Sequence, residues 1–530
     1  MTDGHDSPAA PLRLPDFRLL WCAGLAVNLA LWMQTVGASW LMLTLAPSPL
    51  MVALIQTAQS GPIFLFGLPG GVLADLVNRR VLLLATYVSI GVATFVTAVS
   101  TGTGHMTPML LLLMTAAVGT AYALQAPAMH TTLAEAVPRP LLFASLALSA
   151  VSFNVARAVG PALAGAIVAF TDTVTVFATC AVLMTVATLA LLRWHYRPRE
   201  SSLPPERVLV GLRSALQYTR HSPDMLVQLL RTLTFVGAAS GIWALLPLIA
   251  RQRLHLDADG YGLLLACLGT GAVIGAISAV RLRRYWSINT VAVVSAALYA
   301  AAVAVVAETV VLPVVWLALG FAGAGWAVVG NVNVTTLQTS IPPWVRARAM
   351  AVYLLVFNLA MAAGGALWGA VATHLGLQGA LLASVVALAA SAVLLQWLPA
   401  RLGEVEATTP SPSTGSPEVG LTPEEEEGPI AVQVNYRIRS QDRTEFLAAM
   451  RALGRARKRD GAQFWRVYRD LGEPERYAER FVVRSWTDYL RHRDRATEAD
   501  RRIEQRAREL HAGPGAPEMQ HMLAERMPGE

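Results

Sequence analysis

The sequence predicts an all-α polytopic membrane protein with twelve transmembrane helices in two six-helix repeats, followed by a small α+β domain. Of the 530 residues, 54% are hydrophobic and only 15% are charged, with a mean hydropathy of +0.47. Soluble domains carry about 25% charged residues. The charge is also uneven: residues 1–400 hold 20 Arg and 12 Asp+Glu, whereas 401–530 hold 22 Lys+Arg and 23 Asp+Glu. A membrane body followed by a soluble tail therefore accounts for the composition.

The predicted helices are apolar segments of about 20 residues or more, the length that crosses a bilayer. They lie at 18–44, 50–75, 81–101, 108–134, 141–170, 173–192, 227–250, 260–280, 288–307, 312–340, 347–373 and 377–398. The polar stretch Arg193–Asp224 divides them six and six. We therefore expect an N-terminal half at 1–192, a central loop at 193–224 and a C-terminal half at 225–400.

The arginines of the loops predict the orientation in the membrane. One alternating set of loops and ends carries 17 Arg, whereas the other set carries only Arg251 and Arg253. Loops on the cytoplasmic side carry the excess of basic residues. We expect a multi-pass protein of the cytoplasmic membrane, in contact with lipid, with both termini, the central loop and the tail in the cytoplasm.

An internal repeat at an offset of 204 residues relates the two halves. Residues that recur in this register are Thr131/Thr335, Thr132/Thr336, Leu133/Leu337, Pro138/Pro342, Asn154/Asn358, Gly160/Gly364, Gly165/Gly369, Gly67/Gly271, Gly71/Gly275, Arg79/Arg283 and Arg80/Arg284. Transporters that rock around a central site are built from such repeats. A receptor or an enzyme has no such requirement.

The segment after the second helix reads Gly71-Val-Leu-Ala-Asp75-Leu-Val-Asn-Arg79-Arg80. It resembles the G-x-x-x-D-x-x-x-R-R/K loop of the major facilitator superfamily, and the resemblance extends over about residues 15–400. It implies that Gly71 allows close helix approach and that Asp75 pairs with a positive group when a gate closes. A plain tight turn is the alternative. The second copy has Ala279 at the Asp position, so a charged latch is expected only in the first half.

The fifth helix carries Ala156-Arg-Ala-Val-Gly160-Pro161-Ala-Leu-Ala-Gly165. It resembles the superfamily's exporter motif, G-x-x-x-G-P-x-x-G-G, with Ala at two of the Gly positions. Small residues four apart favour close packing, and Pro161 kinks the helix. The resemblance implies outward transport; an ordinary packing seam is the alternative.

Arg157 lies deep within that helix, on one face with Asn154 and Pro161. A charge near the bilayer centre costs about 2.5–3.5 kcal/mol on insertion scales and is a functional-site hypothesis by default. We interpret Arg157 as a contact for an anionic or polyphenolic substrate, or as part of a gating ion pair; an arginine extending to the interface is the alternative. His130 and Glu135 are its nearest candidate partners in the sequence.

Further polar side chains recur at helical spacing inside the predicted spans and are expected to line a shared cavity. They are Asn28, Gln34, Gln56, Gln59, Gln125, Asn331, Asn333 and Asn358. Any one of them could equally hold two helices together. The first helix has no deep acidic residue. A proton or another ion would therefore be carried elsewhere, with Asp75, Glu135 and His130 as candidates.

The tail follows a linker at 401–429 that is rich in Pro, Ser, Thr and Glu. Residues 430–530 are expected to form a βαββαβ ferredoxin-like domain. The predicted elements are a strand from Ile430, a helix at Asp442–Lys458, strands at 462–469 and 476–486, one long helix at Asp488–Leu510 and a strand at Met519–Leu523. The tail resembles the dimeric antibiotic-biosynthesis-monooxygenase domains, largely through Ser485–His492. This resemblance implies a homodimer through the sheet; His492, His511 and His521 could instead support chemistry.

Together these features favour a secondary active exporter of a small amphipathic molecule. The resemblance to enterobactin-exporter-like facilitators, also known as transmembrane secretion effectors, implies a siderophore or a drug-like compound. The partners expected are the substrate, lipid and a proton or other ion gradient, without nucleic acid, metal or cofactor. The sequence has no Gly-Lys-Ser/Thr phosphate loop, so ATP is not the direct energy source. A membrane-tethered enzyme and a sensor acting through the tail are the alternatives.

Overall fold

The computed structural model describes residues 9–46, 48–194, 216–399 and 426–525, together with linker positions 409, 411, 419–421, 423 and 424. Residues 195–215 of the predicted central loop at 193–224 and most of the linker lie outside this part of the chain. The chain divides into two compact units. The transmembrane unit comprises Met1–Pro205, Leu230–Asn333 and Tyr353–Pro399, and the tail unit comprises Glu206–Leu229, Val334–Val352 and Ala400–Glu530.

Six helices form the first half. They are α1 (Pro15–Leu45), α2 (Pro49–Leu76), α3 (Arg79–Gly102), α4 (Pro108–Glu135), α5 (Leu142–Phe170) and α6 (Thr173–Arg193). Polar side chains cap three of their starts, because Asn78, Thr107 and Asp172 each accept a hydrogen bond from a backbone N–H of the first turn. These caps satisfy donors that a helix start leaves free.

The second half begins with α7 (Pro223–Leu248), which continues as a π-helical turn at Ile249–Arg253. The further helices are α8 (Ala258–Leu282), α9 (Ile288–Glu308), α10 (Leu312–Ser340) and α11 (Pro343–Trp397). Among the described residues, eleven helices are long and apolar enough to cross a membrane. The 55-residue α11 is interrupted at Gly376, whose φ of 73° is not helical. A continuous helix of that length would measure about 80 Å, far more than a bilayer of about 30 Å, so α11 supplies the last two of the twelve predicted spans.

The repeat at offset 204 is visible in the packing of four glycines. Gly160 of α5 and Gly364 of α11 bring their helices against α1 and α7 of the same half, whereas Gly165 and Gly369 bring them against α8 and α2 of the other half. A Cβ added at Gly160 would meet Trp32, and one at Gly364 would meet Ser240 and Gly237. A Cβ at Gly165 would meet Gly262 and Ala258, and one at Gly369 would meet Ala53 and Leu50. The halves therefore meet along two equivalent seams, α5 with α8 and α2 with α11.

The tail domain is an antiparallel sheet with helices on one face. Its elements are β1 (Ile430–Arg437), α12 (Arg443–Arg459), β2 (Phe464–Arg469), β3 (Arg476–Val483), α13 (Trp486–Asp494), α14 (Glu498–Glu509) and β4 (Glu518–Leu523). The strand order is β2-β3-β1-β4, with Val432 opposite Phe481 and His521. This arrangement fits the small α+β domain that the sequence predicts.

The predicted long helix at Asp488–Leu510 is wrong, because the structure has two helices there. Thr497 ends the extended stretch between α13 and α14 and starts the second helix with a capping box: its Oγ1 accepts from the Asp500 backbone N–H, while the Asp500 carboxylate accepts from the Thr497 N–H. Such a cap favours a new helix start over continuation. The hydrophobic spacing of the sequence continues across Thr497, so by itself it predicts one helix instead of two.

Candidate functional site

A small cavity of about 10 Å³, the space of about one water molecule, lies inside the transmembrane unit, between the two halves. Arg157 and Pro161 of α5 line it together with Trp32 of α1, and the second half contributes aliphatic and aromatic side chains. The complete lining is Trp32, Arg157, Pro161, Trp243, Leu265, Leu268, Gly269, Ala272 and Trp326. Small-molecule sites are mostly apolar clefts with a few oriented polar groups, and this cavity has that character.

The polar groups at the cavity are donors. The indole Nε1 atoms of Trp32 and Trp243 are buried without a hydrogen-bond partner among the described residues. Among the described residues, the Arg157 guanidinium donates one hydrogen bond, from Nη2 to Asn154 Oδ1 at 3.0 Å, which leaves other N–H groups to donate. The lining residues include no Asp or Glu. The cavity is therefore chemically suited to an acceptor-rich or anionic ligand.

One wall of the cavity is aromatic and belongs to the second half. Trp326 of α10 contacts Trp243 at a ring-centroid distance of 5.6 Å and Phe235 at 6.0 Å. Tyr299 and Phe357 also lie beside Trp326, at 6.2 Å and 6.0 Å. Packed rings of this kind hold each other in place and offer a flat, rigid surface to a planar ligand.

Arg157 does not pair with the partners that its sequence position suggested. Glu135 instead accepts a hydrogen bond from Arg79 Nη1 at 2.5 Å, an ion pair that joins the start of α3 to the end of α4. His130 has an exposed side chain. The local helix explains the Arg157–Asn154 bond, because residues three apart lie on one face. Arg157 is thus held by its own helix, and its guanidinium lines the cavity with N–H groups that remain able to donate.

The loop between α2 and α3 is fixed by its arginines. Arg79 Nε donates to Ala74 O at 3.3 Å, and Arg80 Nη2 donates to Leu192 O at 2.6 Å. The side chain of Asp75 lies outside the described residues, so its predicted pairing stays a prediction. The close helix approach expected at Gly71 is wrong: among the described residues nothing lies within 4 Å of a Cβ placed there, whereas one at Gly70 would be 2.8 Å from Ala123 O.

The exporter-like motif of α5 packs as closely as its small residues allow. A Cβ on Gly160 would be 2.8 Å from Trp32 Cβ, and one on Gly165 would be 3.0 Å from Gly262 Cα. Gly160 therefore holds α1 and its Trp32 next to Arg157, while Gly165 closes the seam to α8. The motif positions two sides of the cavity.

The other predicted polar residues have different surroundings. Asn28 bonds Ser152 at 3.4 Å, joining α1 to α5, and Gln56 bonds Met361 O at 3.4 Å, joining α2 to α11. Asn358 donates to Leu354 O of its own helix at 2.8 Å. Gln34, Gln125 and Asn333 are buried, each with one side-chain atom lacking a described partner; Gln59 is half-buried and Asn331 is exposed. None of them lines the cavity, so helix-to-helix bonding describes Asn28 and Gln56 best.

The sequence reasoning missed three residues of the membrane body. Trp243 and Trp326 lie at the cavity, and their signal was a tryptophan far from a helix end, since membrane tryptophans favour the interfaces. The third is Arg231 of α7, which is fully buried. Its Nη1 donates to Leu398 O at 2.8 Å, at the end of α11. The rule that selected Arg157, a charge inside a span, applies to Arg231 equally.

The tail histidines serve packing rather than one common site. His492 is buried against Phe481, and burial lowers its pKa to about 3. His511 Nδ1 accepts the Arg437 backbone N–H at 2.9 Å, and His521 Nε2 bonds the Tyr489 hydroxyl at 2.6 Å. The described residues contain no group of three or more His, Cys, Asp or Glu suited to a metal. Each histidine is occupied by its own structural contact.

Comparison with known proteins identifies one family and a transporter among its relatives. The model of the family described as transmembrane secretion effector matches residues 6–528. The staphyloferrin A transporter of Staphylococcus aureus (strain NCTC 8325 / PS 47) is 20% identical over 255 residues, which are 48% of this chain and 64% of that protein. The match thus spans less than two-thirds of this relative.

Solved structures share the fold. A bacterial homologue of the human lysosomal transporter Spinster, in an inward-facing and unoccupied conformation, matches with a TM-score of 0.59 at 15% identity, over 72% of this chain and 97% of that chain. The nucleoside transporter NupG matches with a TM-score of 0.59 at 14% identity, over 72% and 98%. At these identities the likeness concerns the fold alone.

Proposed function

Because the chain belongs to the transmembrane secretion effector family of the major facilitator superfamily, we propose that it is a secondary active transporter that exports a small amphipathic organic molecule. It works by alternating access: the two halves tilt around the cavity and expose it to one side of the membrane at a time. The observation that carries the proposal is this cavity, with Arg157 on one side and Trp243 and Trp326 on the other.

The cavity supports an anionic or acceptor-rich substrate with a flat apolar part. Arg157 and the indole N–H groups of Trp32 and Trp243 are donors without enough acceptors of their own. A carboxylate or phenolate oxygen would satisfy them, and a buried donor without an acceptor costs about 1–3 kcal/mol. A ring or apolar body would rest on Trp326. A relative named as a staphyloferrin A transporter supports siderophores as the first class to test, with drug-like anions second.

Orientation and direction complete the proposal. The excess of arginine in one set of loops supports a protein of the cytoplasmic membrane with both termini and the tail domain in the cytoplasm. The motif at Gly160, Pro161 and Gly165 supports outward transport through its likeness to exporters. Arg157, Asn154 and the residues of the α2–α3 loop would act in binding and gating. We propose coupling to a proton or another ion, with Asp75, His130 and Glu135 as candidate carriers.

The tail supports a homodimer through the open face of its sheet. On that face Arg466 lies directly opposite Arg480, and like charges facing each other destabilise a sheet. Glu518 is on the same face, on the distant strand β4, opposite Asn435. A second copy related by a two-fold axis would bring Glu518 toward the two arginines. Glu518→Arg should then shift the full-length protein in detergent toward monomer by light scattering; an unchanged dimer, or a monomeric wild type, contradicts the pairing.

An efflux screen tests the proposed function. Cells that express the wild-type protein are compared with cells that express Arg157→Ala, by mass spectrometry of medium and cell extract, with and without a protonophore. We expect one class of anionic compound to leave the wild-type cells, to remain inside the Arg157→Ala cells, and to remain inside both when the gradient is collapsed. Arg284→Ala is the matched control, because Arg284 is exposed in a loop. Equal medium profiles for all cells, at equal membrane abundance, would contradict export.

A further inference from the structure

The tail unit contains more than the tail domain: it includes the beginning of α7, the end of α10 and the beginning of α11. A short helical segment at 216–221 precedes α7. Together these ends carry Gln217, Tyr218 and Trp344, which face residues of the tail domain. We call this the docking contact; its tail side consists of Lys458, Ala462 and Arg495.

The first part of the docking contact is a cap. Gln217 Nε2 donates to Lys458 O at 2.9 Å and to Ala462 O at 3.0 Å. Lys458 lies in the last turn of α12 (Arg443–Arg459), where a helix leaves its carbonyl oxygens without intrahelical donors, and Ala462 follows three residues after the helix ends. One side-chain amide therefore satisfies two carbonyl acceptors of the tail domain.

The second part is a stack of a cation and two rings. The Arg495 guanidinium lies 4.3 Å from the ring centroid of Trp344, and the Trp344 ring meets Tyr218 edge-on at 5.9 Å. A hydrogen bond within the tail domain orients Arg495, since Arg495 Nη1 donates to Asp460 O at 3.0 Å. Tyr218 is only 3% exposed, and this burial raises its pKa to about 12. A cation against a tryptophan face is among the stronger contacts of this kind, more so when water is excluded.

The two halves differ at the corresponding ends. In the first half, the Arg79–Glu135 ion pair joins the start of α3 to the end of α4. At the repeat positions the second half has Arg283 and Thr339, which cannot form an ion pair. Thr339 lies within the part of α10 that belongs to the tail unit. The half that lacks an ion pair at these repeat positions is the half whose helix ends the tail domain contacts.

We propose that the tail domain is a latch for the second half: through Arg495 and the carbonyls of Lys458 and Ala462 it binds the segment before α7 and the beginning of α11 and holds them as one body. Its effect on transport rests on the proposed function; its effect on these helix ends does not. The partner of this surface of the tail domain is thus the chain's own helix ends.

Hydrogen exchange of the full-length protein in lipid nanodiscs tests the latch without a substrate. Arg495→Ala should speed exchange at 216–229 and 334–352 by about tenfold, because a docked segment exchanges only when it undocks. Trp344→Ala should give the same pattern; since Trp344 lies outside the tail domain, unchanged exchange in β1 and β3 shows that the domain remains folded. The two substitutions together should be no worse than either one, because they remove a single contact.

Arg506→Ala is the matched control, since Arg506 pairs with Glu445 in the same domain and is well exposed; it should leave 216–229 and 334–352 unchanged. Unchanged exchange there in Arg495→Ala and Trp344→Ala would overturn the latch, and so would additive effects of the two substitutions.

Efflux from cells gives a second measurement. Cells with either variant should export the substrate at least about threefold more slowly than cells with the wild-type protein. Faster exchange with wild-type efflux would also overturn the latch. Absence of efflux from wild-type cells would instead overturn the proposed function, while the exchange result would still decide the docking.

Discussion

In the first half of the membrane body, Arg79 and Glu135 tie two helix ends together, whereas the second half has Arg283 and Thr339 at the repeat positions. Elsewhere the halves agree closely: Asn154 and Asn358 each donate to the carbonyl four residues earlier, at 2.8 Å. The repeat has thus kept the contacts that pack helices and changed the ones that carry charge. This difference shows where the two halves have separate tasks.

The centre of the membrane body shows the same division. Arg157 belongs to the first half, and its repeat position is occupied by Met361. Trp243 and Trp326 belong to the second half, where the first half has Ser39 and Tyr122. The first half therefore supplies the charge of the cavity, and the second half supplies its aromatic wall. A ligand between them would need both an anionic group and a flat apolar part.

The largest effect is expected at Arg231, the buried arginine of the second half. Arg231→Ala removes the donor to Leu398 O and leaves space in a packed core. We expect a loss of about 3 kcal/mol in the free energy of unfolding, measured by thermal unfolding in detergent. Arg157→Ala, at the cavity of the first half, should cost clearly less. Equal losses would show that both arginines serve the fold and would remove the contrast between them.

The next effect concerns acid sensitivity of the tail domain. His492 is buried and its folded pKa is about 3, against about 6.5 in the unfolded chain. As pH falls from 7 to 5, the unfolded chain therefore takes up a proton that the folded domain excludes, and the domain loses ~2 kcal/mol. Asp460, whose pKa is raised by burial, works in the opposite direction.

Hydrogen exchange in β1 and β3 at pH 7 and 5, corrected for the intrinsic rate, measures this loss. His492→Gln should show a smaller acid destabilisation than wild type, while Asp460 remains in both. The same change with pH in both proteins would contradict a neutral buried imidazole.

A smaller effect is expected from the ion pair of the first half. If Glu135 acts through this ion pair and not as the ion carrier, Glu135→Gln should slow efflux by at most about fivefold, because a partly exposed ion pair contributes up to about 1 kcal/mol; the Arg79 and Glu135 side chains are 17% and 36% exposed. A complete loss of efflux would assign the carrier role to Glu135. The exchanged pair Arg79→Glu with Glu135→Arg should recover part of the rate. Thr339→Val, at the repeat position, is the control without effect. If it slows efflux as much as Glu135→Gln, the two ends do not differ in the way described.

The smallest effect has the opposite sign. Arg491 and Arg348 both lie near enough to Arg495 to lower its pKa, after the larger effect of burial. Removing one like charge should therefore tighten the docking contact. We expect Arg491→Gln to slow exchange at 334–352 by about twofold, and the difference from wild type to shrink at high salt. Faster exchange would mean that Arg491 contributes to docking instead.

Sequence patterns were sufficient for features that depend on neighbouring residues. The spans follow from apolar length, and the end of one predicted segment at 373 and the start of the next at 377 enclose the break at Gly376. The tail strands follow from alternation. In contrast, the preference for Gly70 over Gly71 depends on which helix face meets α4, and two adjacent glycines give no sign of that.

Contacts between distant segments were beyond the sequence. Glu135 lies closer in sequence to Arg157 but pairs with Arg79, because the bundle brings the ends of α3 and α4 together. Likewise, Trp344 and Arg495 are far apart in the chain, and neither has a local signal for the other. The break at Thr497 was readable in principle, since a capping box has a sequence pattern, but the apolar spacing continues across it.

Uptake of the exported compound into inside-out membrane vesicles, driven by an imposed ion gradient, tests the central claim most directly. The account predicts gradient-dependent accumulation with the wild-type protein and less than about one-tenth of it with Arg157→Ala, since a charge-assisted contact contributes more than a factor of ten. Arg157→Lys should recover little if the contact is bidentate and much if Arg157 is a point charge. Accumulation by Arg157→Ala equal to that of wild type, at equal abundance in the vesicles, would contradict a substrate site at this cavity.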